Sequence, residues 1–186
     1  MYGSELSTSD CYGRYALLNG HRLSTTTHAG LSAADRRIIS QNVRGFSKST
    51  RLLWMSAWRK TPVRQRPLAW CIQETHVATV EEANTLRLEW RRIWGQDCDT
   101  DQVPMSYWSY GSSRSSGVAI LLTPQAALHA AAWNEDRWNT RAIGISVHDM
   151  YILNVYAPND RPERESLFDS LHDWNLPSGT SVLWRF

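Results

Sequence analysis

Apolar positions along the chain follow two different rhythms. Short runs in which apolar residues cluster, "RIISQNV" and "PLAWCIQ", alternate with segments whose apolar positions recur every three or four residues, "KSTRLLWMSAWRK" and "TVEEANTLRLEWRRIWG". The first kind predicts strands and the second amphipathic helices. Four more short runs follow closely, "SYWSYG", "GVAILLT", "RAIGISV" and "YILNVYA". A helical segment comes next, "RPERESLFDSLHDW", with Pro162 near its first turn and acidic residues early. The terminal "TSVLWRF" predicts one more strand, with Val182, Trp184 and Phe186 on one face. Strand and helix alternation that passes into a run of strands predicts an α/β fold, with sheets packed on each other and helices outside.

The rhythm is absent from residues 1–35, which are rich in Ser, Thr and Gly ("SELSTSD", "RLSTTTHAGLSAAD"). We read them as a disordered or poorly packed leader without assigned function, and residues 36–186 as the folded unit. At 186 residues, 42% hydrophobic and 20% charged, the chain suits one globular domain with a sizeable core. The most apolar stretch, "GVAILLTPQAALHAAAW", is interrupted by Pro124 and Gln125 before it reaches bilayer length, and no signal peptide is evident. No membrane partner is expected. Cys11, Cys71 and Cys98 stand far apart, so neither a disulfide framework nor a zinc site is supported, and a reducing, intracellular compartment fits best. Ten Trp is a large number for this length; Trp54, Trp58, Trp90, Trp94 and Trp174 fall at helical spacings that favour core packing over base stacking.

A net charge of +2 is too mild to demonstrate a polyanion partner, although the positive charge is carried almost wholly by Arg, which forks onto phosphate. The acidic knot at Asp97, Asp99 and Asp101 lacks the Gly and closing Glu of a calcium loop, and reads as a solvated loop. Chemistry is expected instead where apolar runs end on polar residues: "ISQN" at Asn42, "CIQE" at Glu74, and "LNVYAPN" with Tyr156 and Asn159. In layered α/β folds such positions meet at one rim.

Taken in order, "IISQNVRGF", "AWCIQETH", "SSGVAILLTP", "RAIGISV" with "YILNVYAPND", and "RESLF" resemble the endonuclease/exonuclease/phosphatase superfamily. The nearest likeness is to the apurinic-type endonuclease domain of non-LTR, LINE-type retrotransposons, over residues 37–183. The resemblance implies a four-layer α/β sandwich in which two mixed sheets are flanked by helices. It implies Glu74 as the carboxylate that binds Mg²⁺ or Mn²⁺, Asn42 beside it, and Tyr156 on the scissile phosphate of DNA. His76, Arg141 and Asn159 match positions that line the DNA groove or support the site. A Mg²⁺ ion keeps waters and prefers hard oxygens, so one carboxylate suffices to hold it against phosphate. The implied activity is metal-dependent nicking of DNA that primes reverse transcription, with a nuclear location if the parent element functions. A phosphatase or sphingomyelinase branch of the superfamily and a non-catalytic nucleic-acid-binding remnant remain as alternative readings.

The family's next motif, Gly-Asp-Phe-Asn, follows a strand like "SVL", but here the strand runs into "WRF". The Asp-x-Asn spacing at Asp173 and Asn175 lies at a helix end, and the pairs His148-Asp149 and His172-Asp173 are in the wrong context. His21, His28 and His129 read as leader or loop residues. We therefore expect a C-terminally truncated domain, without its last strands and inactive or nearly so. If Trp184 to Phe186 are encoded TGG CGA TTT and followed by TAA and then C or T, reading one nucleotide later restores Gly-Asp-Phe-Asn. The expected gene sequence is that one, marking a frameshift; a different Arg185 codon or stop would overturn it.

Overall fold

The apolar run "AWCIQ" has no water-facing position, and it forms a central strand, β2 (Ala69–Gln73), buried at all of its residues. In the computed structural model, which describes residues 37–95, 103–111 and 116–185, β1 (Ile38–Asn42) lies parallel to β2, with Asn42 beside Gln73. Antiparallel to β2 on its other side runs β4 (Val118–Leu122), and β3 (Ser106–Trp108) closes that sheet in the order β1-β2-β4-β3. A second sheet has the order β5 (Ala130–Trp133), β6 (Ala142–Val147), β7 (Met150–Tyr156), β8 (Ser181–Arg185). Its β7–β8 pair is parallel and its other pairs antiparallel. The leader, Asp97, Asp99, Asp101, Cys11, Cys98 and Phe186 lie outside the described residues.

Each parallel pair needs a crossover, and a helix supplies it: α1 (Lys48–Lys60) between β1 and β2, and α4 (Arg161–His172) between β7 and β8. Helix α2 (Val80–Ile93) starts where Thr79 Oγ1 accepts the Glu82 N–H at 3.2 Å, while Glu82 reaches back to the Ala78 N–H. In α4, Asp160 caps the Glu163 N–H at 3.0 Å and Pro162 occupies the first turn.

Indoles fill the layer between α1, α2 and the first sheet. Trp54, Trp58, Trp70, Trp90 and Trp94 form a continuous cluster with neighbouring ring centroids 5.2 to 6.5 Å apart. On the far side of the second sheet, Leu153, Val155 and Ala157 pack with Leu167 and Leu171 of α4 and with Trp174. The layers are therefore helices, sheet, sheet, helix. This is the α/β sandwich expected from the sequence, and of the tryptophans singled out there Trp90 and Trp174 are buried while Trp54, Trp58 and Trp94 are half-buried against the core.

A short helix α3 (Pro124–Ala127) and β5 were not foreseen, nor were two single 3₁₀ turns at Val63–Gln65 and Glu135–Arg137. Thr123 caps α3 by accepting the Ala126 N–H, so Pro124 opens a turn inside what reads as one apolar stretch. β5 is a partly exposed edge made mostly of alanine, a residue depleted in strands. The face shared by Val182 and Trp184 on β8 is the outward one, which α4 covers only in part: Trp184 meets Phe168 edge-on yet stays 49% exposed. Among the described residues no helix is long and apolar enough to cross a membrane. Cys71 is buried, and burial pushes its thiol up, which leaves it inert.

Because Trp90 is fully buried and its indole N–H donates to the Leu122 carbonyl at 2.8 Å, Trp90→Ala is expected to cost about 3–5 kcal/mol. Trp184→Ala, at the half-covered edge, should stay below about 1 kcal/mol. Denaturant melts of the two variants check the contrast.

Candidate active site

Parallel pairing puts the ends of β1 and β2 on the same rim, so Asn42 and Glu74 emerge side by side. Tyr156, the last residue of β7 in the second sheet, reaches the same rim: its hydroxyl donates to Glu74 Oε1. The guanidinium of Arg141 stands 5.4 Å from the centre of the Tyr156 ring, and the Arg141 carbonyl accepts the Tyr156 N–H at 2.8 Å. Arg141 also lies 3.6 Å from Glu163, an exposed pair of little energetic weight. Three of the anticipated residues, Glu74, Tyr156 and Arg141, thus form one contact chain across two sheets.

The loop that carries Glu74 is held in an unusual shape. Glu74 (φ 54°) and His76 (φ 57°) both adopt left-handed backbone, which costs a residue with a Cβ about 1–2 kcal/mol. Bonds on both sides hold them there. The Thr75 and His76 N–H groups donate to the carbonyls of Gly117 and Ser116, and the carbonyls of Glu74 and Thr75 accept from Gly45 and Phe46. Gly117 is glycine for a local reason: a Cβ there would sit 2.5 Å from Thr75 Oγ1, at a φ of +82°.

The other anticipated residues surround this pair. Asn42 turns its Oδ1 to the Arg44 N–H at 2.9 Å and so closes its own loop. His76 lies against Gly45 and lines a groove of about 470 Å³ with Arg44, Arg51, Thr75 and Glu82. Arg51 holds Glu89 through two bonds of 2.6 and 2.8 Å, so its charge is locally compensated. Asn159 is exposed three residues beyond Tyr156, where its carbonyl accepts from Arg164, and it makes no hydrogen bond to the Glu74–Tyr156 pair. Asp173 and Asn175 flank the end of α4 before β8, as anticipated. His148 stacks on His129 at a hairpin, ring centroids 4.0 Å apart.

Reading strand ends alone missed a set of polar side chains just beneath the rim. Asn154, fully buried on β7, donates to the Ile72 and Ala119 carbonyls of the first sheet at 3.0 and 2.9 Å and accepts from Gln73. Gln73 also donates to Ser40 Oγ. Their signal was available: each is a polar residue on the inward side of an apolar run. Arg185 of β8, in register with Tyr156, donates to the Ser40 carbonyl at 3.0 Å.

The layered fold is shared with solved structures. An AP endonuclease from Archaeoglobus fulgidus superposes with a TM-score of 0.51 and 18% identity, over 79% of this chain and 55% of that one. The AP endonuclease LMAP from Leishmania major gives 0.52 and 16%, over 80% and 54%. The fold is thus one shared with these two AP endonuclease structures. The chain spans about half the length of these solved structures. No protein-family model matches it.

Burial, then the hydrogen bond and charge of Glu74, push the Tyr156 hydroxyl up to about 12, with Arg141 pulling the other way. The phenol is thus held protonated far above neutrality. Its raised value adds stability that is complete below the ordinary tyrosine range near 10 and is lost as pH rises from there through about 12. Glu74→Gln should lower the Tyr156 value part of the way toward 10, since burial remains, while Arg141→Met should raise it further. Titration followed by the ¹³Cζ resonance of labelled tyrosine reads both directions.

Proposed function

We propose that the rim of Asn42, Glu74, Tyr156 and Arg141 is the phosphodiester site of a DNA endonuclease-type domain of the non-LTR retrotransposon kind. His76 and Asn159 lie along its DNA groove. The observation that carries this reading is the Tyr156–Glu74 hydrogen bond, made from one sheet to the other beneath the Arg141 guanidinium. The fold supports it, because the solved neighbours are named as endonucleases.

The donor set suits the Mg²⁺ or Mn²⁺ that the family resemblance implies. Among the described residues no group of three or more His, Cys, Asp or Glu could form an all-protein cage. Glu74 accepts from Tyr156 through Oε1, which leaves Oε2 as a hard-oxygen donor at the rim. One such carboxylate, with waters and a substrate phosphate, is a sufficient Mg²⁺ site. When bound there, the ion supplies Lewis-acid polarisation of the phosphoryl oxygen. The chain's own groups do the rest: the one proton of the Tyr156 hydroxyl, given to Glu74 here, turns to a phosphate oxygen when that bond is released, Arg141 supplies fixed positive charge, and Asn42 ends β1 on the same rim.

The carboxylate beside Arg141, Glu163 at 3.6 Å, makes no hydrogen bond to Glu74 or Tyr156, and we do not assign it the task of taking a proton from an attacking water. Loss of a general base typically removes about 10² to 10⁴ in rate. We read the chain as one that retains DNA but turns it over near background.

Supercoiled plasmid incubated with the protein and Mg²⁺ should therefore be nicked no faster by the native chain than by Glu74→Ala. DNA should be retained on a filter at low salt and released as salt rises toward about 0.2 M, with weaker retention by Arg141→Ala. Nicking that disappears in Glu74→Ala would overturn the expected inactivity. Failure of both retention and nicking would overturn the DNA reading itself.

A further inference from the structure

Ser40, Gln73 and Asn154 stand in a regular relation to the rim. Ser40 precedes Asn42 by two residues on β1, and Asn154 precedes Tyr156 by two on β7, so each shares a strand face with its rim residue. Gln73 immediately precedes Glu74. All three are at most 3% exposed.

They form one hydrogen-bonded chain. Asn154 Nδ2 donates to two backbone carbonyls, of Ile72 and Ala119, which decides which end of that amide is nitrogen. Its Oδ1 must then face a donor, and Gln73 Nε2 is there at 2.5 Å. The same nitrogen lies 3.1 Å from Ser40 Oγ, and the Ser40 carbonyl receives Arg185. Strands β1, β2, β4, β7 and β8 are linked in this way.

We infer that Ser40, Gln73 and Asn154 are positioning residues, a buried polar layer that holds Asn42, Glu74 and Tyr156 in register across the two sheets. Stability alone does not account for the layer. Burying three polar side chains carries a desolvation cost that apolar residues of similar volume avoid, and it leaves Gln73 Oε1 without a hydrogen-bond partner. Directional bonds fix what apolar packing leaves adjustable: the offset of one sheet against the other. That offset decides whether the Tyr156 hydroxyl meets Glu74 or misses it. What the layer serves rests on the phosphodiester site proposed above; its own existence does not.

The test therefore uses no DNA. In the full chain labelled with ¹³Cζ-tyrosine at neutral pH, Tyr156→Phe assigns the Tyr156 resonance, and Glu74→Gln marks where it falls once the carboxylate is gone. Gln73→Met keeps side-chain length but removes the amide, and should move the resonance at least half of the way to the Glu74→Gln position. Ser40→Ala, a milder cut at the other end of the layer, should move it the same way by less. Leu153→Ala lies on the opposite face of β7 against α4 and removes packing without touching the layer, so the resonance should stay in place. An unmoved resonance in folded Gln73→Met and Ser40→Ala, or an equal shift in Leu153→Ala, would overturn the inference. Should Gln73→Met fail to fold, Ser40→Ala against Leu153→Ala decides it alone. A protein that binds no DNA yet shows the expected shifts would lose the proposed function and keep the positioning layer.

Discussion

The bridge made by Asn154 is the constraint on which the rest of the arrangement depends. Two sheets packed by apolar side chains have a preferred angle but no strong preference for a particular offset along the strands. A side-chain amide that must satisfy two carbonyls of the opposite sheet changes that, since in a low-dielectric interior a missed bond is costly. Everything at the rim that spans both sheets, the Tyr156–Glu74 bond first, inherits its geometry from this register.

Much of the fold was legible in the sequence because period and burial agree. α1 covers the segment read as its helix, and β2 was visible as an uninterrupted apolar run. Where the two signals part, reading failed. "PQAALHAAAW" is apolar without a period, and only Thr123 and Pro124 betray that a helix turn starts there before a weak edge strand. The candidate rim was legible in outline, as polar residues at strand ends, in that Glu74, Tyr156 and Arg141 meet there. Its buried support was not anticipated, because attention only to residues beyond the strand ends passes over Gln73 and Asn154 on the inward side of their apolar runs. The left-handed backbone at Glu74 has no signal of its own, since Glu is not a residue that favours it, whereas His76 is of a type enriched there.

Tryptophan illustrates how chemistry and architecture divide the same residue type. The cluster around Trp70 and Trp90 gives the first sheet and its helices a rigid, closely packed layer. It lies on the outer side of that sheet, while Ser40 and Gln73 point the other way, toward the second sheet. One strand, β2, therefore serves packing through Trp70 and the site through Gln73, on alternate faces.

The strained loop at Glu74 and His76 also has a bearing on how a fold of this kind responds to mutation. The layered fold draws on dozens of buried side chains, so a single replacement seldom decides its fate. The loop's shape depends on a handful of neighbours, Gly117 and Gly45 among them, whose replacement releases the strain and lets the carboxylate drift. In a copy no longer under selection, mutations of equal frequency would erase the chemistry long before they erased the shape. Shape of this layered sort is the more durable record of ancestry, and a held carboxylate the more fragile one.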